Sequence, residues 1–402
     1  DPDNDTAHAA LDVTESVSDG PAEQLDAPGA SAAAAGDFNG DGLTDLAVAT
    51  KSGQGTLVFL NAADPEHANK LAFANLPLTF ADTAAETGVA AADLDGDGDL
   101  DLAVARGGAP DGVLINGGQA DFQAAAALGD AGSNAVAIAD LNGDGLPDLV
   151  FAGSGASTVY INNGGGAFTP QALAGTANSV GAAAVDLNGD ALPDLVLANA
   201  DGGAELYLNS GGSFGQPVPL DTGPTTAVAA QDFNGDGLPD LVFGQAAGDS
   251  PLSRVYLNTS ASTPSMLSFF EAAELGGVGT ADVLAADFDL DGLNDVITIN
   301  GAGGHELYTN AGGANTAFLL HPQQFVSDTA NKAIAGRFNA DDRPDVAVAG
   351  GDKVDIFFND GHGNFGLGDV NAPTVTLNGQ PSVTLTVGDA YTDAGATASD
   401  PE

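Results

Sequence analysis

The sequence predicts an all-β fold, a seven-bladed β-propeller in which each blade is a sheet of four short strands. Three observations predict it. A nine-residue acidic motif recurs seven times, at intervals of 46 to 56 residues. Apolar runs of four to eight residues without a helical period flank the copies. The 56 glycines and 20 prolines among 402 residues supply the many tight turns that such short strands need.

Strand A of each unit is a run of small apolar residues, such as 135–139 (AVAIA), that leads into the acidic motif. Strand B follows the motif with runs such as LAVA or LVFA, so the motif is predicted to be the loop between them. The seven copies are DFNGDGLTD (37–45), DLDGDGDLD (93–101), DLNGDGLPD (140–148), DLNGDALPD (186–194), DFNGDGLPD (232–240), DFDLDGLND (287–295) and RFNADDRPD (337–345).

Strand C ends in an asparagine that lies 22 to 26 residues after the start of each motif. Two residues earlier stands a Phe, Leu or Tyr, which we interpret as a packing position. Strand D follows a glycine-rich turn, as in residues 162–173 (NNGGGAFTPQAL). The recurring asparagines are Asn61, Asn116, Asn162, Asn209, Asn258, Asn310 and Asn359.

The charge balance excludes several classes of function. The chain has 56 Asp and Glu against 8 Lys and Arg, a formal net charge of -48. A nucleic-acid binder needs a basic surface that displaces counterions from phosphate, so no nucleic-acid partner is expected.

The absence of cysteine excludes disulfides, thiolate metal sites and thiol nucleophiles. No apolar run approaches the length of a membrane span, and no membrane insertion is expected.

These repeats resemble the FG-GAP or VCBS repeat, the calcium-binding blade that also builds the propeller of integrin α-subunits. The resemblance covers about residues 20–366 and rests on the seven motifs in register. It implies that strand A is innermost and that the acidic loop is a calcium-binding A–B hairpin. Residues 20–38 align with residues 214–233, so a strand at about 21–27 is expected to close the ring as the outer strand of blade 7.

The motif also indicates calcium by its own chemistry. Ca²⁺ takes six to eight oxygen ligands, and a curled loop supplies them from alternate positions. Positions 1, 3, 5 and 9 carry Asp or Asn side chains, and position 7 can offer a backbone carbonyl. Asx-rich turns without metal are the alternative interpretation. Carboxylates brought together in six turns would repel one another without a cation, which favours calcium.

Six calcium sites are therefore expected, one in each of blades 1 to 6. The predicted ligands are Asp37, Asn39, Asp41, Leu43 and Asp45; Asp93, Asp95, Asp97, Asp99 and Asp101; Asp140, Asn142, Asp144, Leu146 and Asp148; Asp186, Asn188, Asp190, Leu192 and Asp194; Asp232, Asn234, Asp236, Leu238 and Asp240; and Asp287, Asp289, Asp291, Leu293 and Asp295. Ala191 replaces a loop glycine in blade 4, and Leu290 replaces one in blade 6.

Blade 7 departs from this pattern and is predicted to be free of metal. Arg337 stands at the first ligand position, and Arg343 stands at position 7. The guanidinium group of an arginine can pair with carboxylates in place of a metal ion, and Asp341 and Asp345 are the expected partners.

Five of the eight Lys and Arg residues are predicted to lie on the face opposite the calcium loops: Lys51, Arg106, Arg254 and Lys353 in or beside B–C loops, and Lys332 in a D–A loop. His305, in the B–C loop of blade 6, is expected nearby, and the candidate ligand-binding residues are Lys51, Arg106, His305, Lys332 and Lys353. We interpret them as a candidate site for a carboxylate-bearing ligand, either an acidic polysaccharide or an acidic protein surface. Scattered surface charge, with no ligand, is the alternative.

The expected function is a non-catalytic, calcium-stabilised binding or adhesion module that presents this face to an extracellular protein or polysaccharide. The expected location is extracellular or on a bacterial cell surface. The alternative is a calcium-dependent lyase or hydrolase of acidic glycans, or its accessory domain, because some such lyases resemble this propeller. The predicted divisions are an N-terminal extension (1–19), the propeller (20–368), and a linker with the truncated start of a bacterial Ig-like domain (369–402) within a larger multidomain chain.

Overall fold

The structure is a computed structural model. It describes residues 22–366 apart from short gaps, and beyond them residues 374–377 and 396–399. Contacts divide the chain into two units, Asp1–Leu367 and Gly368–Glu402. The gaps within the first unit are residues 64–70, 79–83, 126, 130–131, 176–177, 221, 247–251, 261–266, 277–278, 314–315, 323–324, 328 and 340. The sequence also predicts, from its length, that the C–D segment of blade 1 at residues 63–70 (ADPEHANK) projects as a loop, and residues 64–70 of it lie outside the described residues.

The first unit consists of seven antiparallel sheets, each with strands in the order A–B–C–D, as the sequence predicts. The chain starts with β1 (Glu23–Asp26), which belongs to the last blade. Blades 1 to 3 are β2 (Ala30–Gly36), β3 (Asp45–Thr50), β4 (Thr56–Ala63) and β5 (Leu71–Leu78); β6 (Glu86–Ala92), β7 (Asp101–Arg106), β8 (Gly112–Asn116) and β9 (Phe122–Ala124); and β10 (Ser133–Ala139), β11 (Asp148–Gly153), β12 (Thr158–Asn162) and β13 (Phe168–Ala172).

Blades 4 to 6 repeat this arrangement, and blade 6 has one additional short strand that pairs with its strand C. Their strands are β14 (Ser179–Val185), β15 (Asp194–Asn199), β16 (Ala204–Tyr207) and β17 (Val218–Leu220); β18 (Thr225–Gln231), β19 (Asp240–Gln245), β20 (Ser253–Asn258) and β21 (Phe269–Leu275); and β22 (Thr280–Ala286), β23 (Asp295–Asn300), β24 (Gly304–Asn310), β25 (Phe318–Leu320) and β26 (Phe325–Val326).

Blade 7 joins the two ends of the propeller. Its strands A to C are β27 (Lys332–Gly336), β28 (Asp345–Gly350) and β29 (Lys353–Asn359). The N-terminal strand β1 pairs with β29, where the sequence predicts the closing strand. The short strand β30 (Phe365–Gly366) also pairs with β29, beyond the end of β1.

Strand B is buried on both faces because each sheet lies between two neighbouring sheets. All six residues of every strand B are buried, and these strands are therefore apolar almost without alternation. Among the described residues, one hydrophobic cluster fills each junction between adjacent blades, including the junction between blades 7 and 1. The core is thus a ring of seven layers rather than one central mass.

Strand A lines the centre of the ring and contacts strand A of the next blade all the way round, from β2 through β27 back to β2. Its second residue sits at a bulge in blades 1 to 6. In four of these blades the side chain at this position donates to a backbone carbonyl of the following blade, and in blade 7 the residue directly before β27 does the same. These donors are Ser31, Thr87, Asn134, Thr226 and Asn331.

The second unit is described over one antiparallel pair, β31 (Thr374–Leu377) with β32 (Ala396–Ser399). The Ig-like assignment of this segment remains a prediction. The part of the chain that the structure describes contains no helix long and apolar enough to cross a membrane.

Candidate functional site

Each acidic loop curls around the side chain of its first residue. In blade 1, Asp37 Oδ1 accepts from the backbone N–H groups of Gly40 (2.8 Å) and Asp41 (3.1 Å), and Oδ2 accepts from Gly42 (2.7 Å). The equivalent carboxylates accept three such bonds in blades 3 to 5 and two in blades 2 and 6; they are Asp140, Asp186, Asp232, Asp93 and Asp287. The first predicted ligand is therefore held in place by the loop backbone.

Positions 4 and 6 of the loop need a left-handed backbone. Gly40 and Gly42 have φ of 76° and 87°, which glycine adopts without steric cost. Leu290 at position 4 of blade 6 has φ of 61°, and Ala191 at position 6 of blade 4 has φ of 71°. These two side chains carry strain of about 1–2 kcal/mol each, and the loop geometry is kept.

The Asp at position 9 connects the loop to the rest of its blade. Asp45 is fully buried; its Oδ2 accepts from Phe38 N–H (2.8 Å) and its Oδ1 from Asn61 N–H (2.7 Å). Both bonds recur in all seven blades; the other carboxylates are Asp101, Asp148, Asp194, Asp240, Asp295 and Asp345.

Burial raises the pKa of these position-9 carboxyls. Desolvation is the largest cause, and the accepted backbone hydrogen bonds oppose it. The pKa rises to about 6 for Asp45, Asp101, Asp194 and Asp240, to about 7 for Asp295 and Asp345, and also rises for Asp148. Neighbouring loop carboxylates add to the rise at Asp45, so a nearby cation would stabilise its ionised form.

The side chains at positions 1, 3 and 9 converge. In blade 2, carboxylate oxygens of Asp93, Asp95 and Asp101 lie within 4.8 Å of one another, and Asp287, Asp289 and Asp295 repeat this in blade 6. The other four loops with an Asp at position 1 have Asn at position 3, an oxygen donor without charge. Hard oxygen donors around a buried carboxylate are a set that fits Ca²⁺.

In the six acidic loops of blades 1 to 6, position 5 is exposed and position 7 is half-buried. Asp41 Oδ1 accepts from Leu43 N–H (2.9 Å), and the position-5 carboxylates of the other five loops accept the same bond. Asn39 Nδ2 donates to Asp41 Oδ2 (3.1 Å). In blade 2, the Asp99 side chain faces the C–D turn, because a Cβ added at Gly118 would lie 3.1 Å from its Oδ2. The participation of positions 5 and 7 remains a prediction.

In blade 7, basic side chains occupy the loop. Arg343 Nη1 lies 3.6 Å from Asp341 Oδ2, the expected pair, and it also donates to Asn359 O (3.4 Å). Arg337 pairs instead with Asp342 (3.3 Å). The expected second partner, Asp345, accepts from the backbone N–H groups of Phe338 and Asn359, as position 9 does in every blade.

The recurring asparagine at the end of strand C joins neighbouring blades. Asn116 Nδ2 donates to Phe38 O of the preceding blade (2.9 Å) and to Leu100 O of its own blade (3.2 Å). All seven asparagines donate to the position-2 carbonyl of the preceding blade at 2.7 to 3.0 Å, and Asn61 reaches Phe338 in blade 7. These bonds form a closed ring of inter-blade latches next to the acidic loops.

The structure does not bring the five predicted ligand-binding basic residues together on one surface. His305 is fully buried; its Nδ1 accepts from Asn300 N–H and its Nε2 lies 2.9 Å from Ser327 Oγ. Burial lowers its pKa to about 4. Arg106 is 4% exposed and donates to Pro110 O. Lys51 is exposed, and Lys353 is half-buried beside Asp26. The prediction was wrong for His305 and Arg106, which lie inside the blades.

Lys332 lies in the central channel instead of on the opposite face. Its Nζ is 3.2 Å from Asp282 Oδ1, and Asp282 Oδ2 accepts from Ala333 N–H (2.9 Å). The channel cavity of about 140 Å³ is lined by strand A of every blade. The other five blades have a small residue at the strand-A position that Asp282 and Lys332 occupy. These residues are Ala32, Gly88, Ala135, Gly181 and Ala227. Sequence reasoning missed Asp282, although alignment of the repeats marks it as the single acid at this position.

Comparisons with known proteins agree with this architecture. A family model for the FG-GAP-like repeat matches residues 37–104, 93–151, 140–197, 186–243 and 232–298, and each match runs from one acidic loop into strand B of the next blade. A search of curated proteins gives no match to this sequence.

Solved structures share the fold at low sequence identity. The lectin BP39L from Burkholderia pseudomallei is 17% identical with a TM-score of 0.62, over 84% of this chain and 98% of that one. A lectin from Agrocybe aegerita that recognises non-reducing terminal N-acetylglucosamine is 21% identical with a TM-score of 0.50, over 74% and 79%. BBS1N, in a complex with ARL6DN, is 13% identical with a TM-score of 0.56, over 84% and 95%. The repeat matches cover more than half of the sequence, and the chain therefore belongs to the FG-GAP-like repeat family.

Proposed function

We propose that this propeller is a non-catalytic binding or adhesion module, stabilised by calcium, of an extracellular or surface-anchored bacterial protein. The observation that carries the proposal is the equivalence of six acidic loops. Each has the same curled backbone, and each is tied to its own blade through position 9. An acidic loop that is repeated in six blades is expected to stabilise the fold, whereas a catalytic site would use residues that occur in one blade.

The comparisons support the class of function and leave the ligand open. Two of the similar structures are lectins, which bind ligands without chemical change. Their identities of 17% and 21% establish a shared fold only. We propose that the ligand is a glycan or another protein, because the rigid ring presents many loops on one face.

The burial of His305 and Arg106 weighs against the alternative enzyme, a lyase of acidic glycans. Such a reaction needs a base and a group that neutralises the uronate. His305 is enclosed by Phe325 and Phe357, with ring centroids 5.1 and 6.4 Å away. Arg106 is engaged with the backbone of its own loop. Two of the basic groups that this alternative would use are therefore part of the core.

Lys51, which is exposed, and Lys353, which is half-buried, remain as surface members of the predicted ligand face. Both stand at strand ends opposite the acidic loops, Lys51 directly after β3 and Lys353 at the start of β29. We propose that they contribute to an acidic ligand's affinity through charge alone. Arg337, with 65% of its side chain exposed on the loop side, provides a matched control.

The experiment is a binding screen of glycans and bacterial or host surface proteins, with calcium and with EDTA. Binding that needs folded, calcium-loaded protein and leaves the glycan intact supports the proposal. Ultraviolet absorbance of an unsaturated product would contradict it and favour a lyase. For any acidic ligand found, Lys51→Ala with Lys353→Ala should weaken binding and Arg337→Ala should not; the opposite result would place the ligand on the loop face.

A further inference from the structure

The fourth strand of blade 7 is made of two separate chain ends. The N-terminal strand β1 pairs with the first half of β29, from Glu23 opposite Ile356 to Asp26 opposite Lys353. The C-terminal strand β30 pairs with the second half, with Phe365 opposite Asn359 and Gly366 opposite Phe358. Both run antiparallel to β29, so they run in the same direction along one edge.

The two pieces meet in the middle of that edge. Gly366 lies opposite Phe358 and Glu23 lies opposite Ile356, so one register position separates them. At about 3.3 Å per residue, the chain enters and leaves the propeller within about 7 Å along the strand. The first and last described residues of the propeller, Ala22 and Gly366, therefore lie close together on one blade.

Hydrogen bonds and apolar packing hold this edge in addition to the strand pairing. Ala22 and Ala27 donate to Ile356 O and Asp352 O, and Gln24 Nε2 donates to Asp355 Oδ1 (2.8 Å). Leu25 is 7% exposed and packs in the cluster between blades 7 and 1. On the other side of the junction, Phe365 packs against Phe288 with ring centroids 5.7 Å apart.

We infer that this edge of blade 7 is a clasp that opens under tension between the two flanking segments, before any other blade is loaded. A pull on residue 22 peels β1 from its first residue, and a pull on residue 366 peels β30 from its last. In both cases the hydrogen bonds break one after another. The force passes from one flank to the other through this edge, so the remaining blades carry none until it opens. The inference goes beyond the proposed binding function and does not depend on the ligand.

The test is single-molecule pulling on the full 402-residue chain, with one handle at each end. Opening of the clasp frees eight residues, 22–29, and seven residues, 360–366, which corresponds to an extension of about 50 Å at about 3.4 Å per residue. We expect this step first, followed at higher force by the loss of the blades. A first step with the length of a complete blade would overturn the inference.

A matched pair of variants separates the clasp from general stability. Leu25 in β1 corresponds to Leu275 in the outer strand of blade 5, since they lie opposite the equivalent residues Val354 and Ser253. Leu275 is 1% exposed. Leu25→Ala should increase the opening rate at constant force by about tenfold or more. Leu275→Ala should leave that rate unchanged while lowering thermal stability similarly; equal effects of the two variants on the first step, or none from Leu25→Ala, would refute the clasp.

Discussion

The ring of asparagine latches makes a direct prediction about stability. We consider Asn162→Ala in blade 3. Asn162 is fully buried; its Nδ2 donates to Leu94 O of blade 2 (2.8 Å) and to Pro147 O (3.0 Å), and its Oδ1 accepts from Gly164 N–H (2.9 Å). Truncation to alanine removes all three bonds without disturbing the backbone of strand C.

The expected loss follows from the groups left without a partner. Leu94 is fully buried, and a buried carbonyl that loses its donor costs about 1–3 kcal/mol. Pro147 and Gly164 are half-buried and can be partly hydrated, so they add less. We expect the free energy of unfolding to fall by about 2–4 kcal/mol.

The assay is chemical denaturation at fixed calcium, with Asn163→Ala as the control. Asn163 is the adjacent residue of the same type, but it is exposed, and its described side-chain bonds stay within the hairpin of β12 and β13. Its truncation should change the free energy of unfolding by about 0.5 kcal/mol or less. If Asn162→Ala destabilises the protein no more than Asn163→Ala, the inter-blade bond contributes nothing and the reasoning is refuted. Hydrogen exchange should in addition increase at the junction of blades 2 and 3.

Three further predictions concern the loops. Calcium removal should lower the melting temperature, since each filled site at 100 times its Kd stabilises the fold by about 2.7 kcal/mol; equilibrium dialysis should count six ions, and a seventh would contradict the metal-free blade 7. Ala191→Gly should relieve left-handed strain and raise the free energy of unfolding by about 1 kcal/mol, as measured by denaturation, whereas a loss of stability would show that Ala191 is not strained. Six of the seven position-9 carboxyls have folded-state pKa values raised to about 6 or 7, and the pKa of Asp148 is also raised. The folded state therefore binds protons more tightly and, in EDTA, melting temperature should fall as pH rises from 5 to 7.5. Saturating calcium should flatten or reverse that trend because the ion binds the carboxylate form, and an unchanged slope would mean that these groups do not meet the ion.

The repeat register predicted most of the fold. Alignment of the seven motifs was sufficient to predict strands A to C, the acidic loops and the closing strand. Each blade packs between two similar sheets, so the same pattern of apolar residues recurs in every repeat. The asparagine after strand C was visible as a recurring residue. Its role was not, since its partner lies in the preceding blade, some 70 residues away in sequence, and is a backbone carbonyl that no side-chain pattern reveals.

The errors share a physical cause. His305 and Arg106 were placed on a surface because they fall beside predicted B–C loops, where basic residues are usually solvated. His305 in fact belongs to β24 and is covered by the additional strand β26, which no other blade has in the described residues. Lys332 stands at a strand-A position that faces the channel, where its charge is met by Asp282. The local sequence at a strand end does not show which side faces solvent, because this depends on the strands and blades that pack next to it.

The latches have a consequence for how such chains change over time. Each asparagine recognises a main-chain carbonyl, which every residue possesses, and not the identity of a neighbouring side chain. A blade can therefore acquire new loops, carry a divergent acidic loop as blade 7 does, or be duplicated, with no matching substitution in the blade beside it. Because the hydrogen bonds between blades do not depend on side-chain identity in the neighbouring blade, the loops of each blade can change in sequence independently of the other blades.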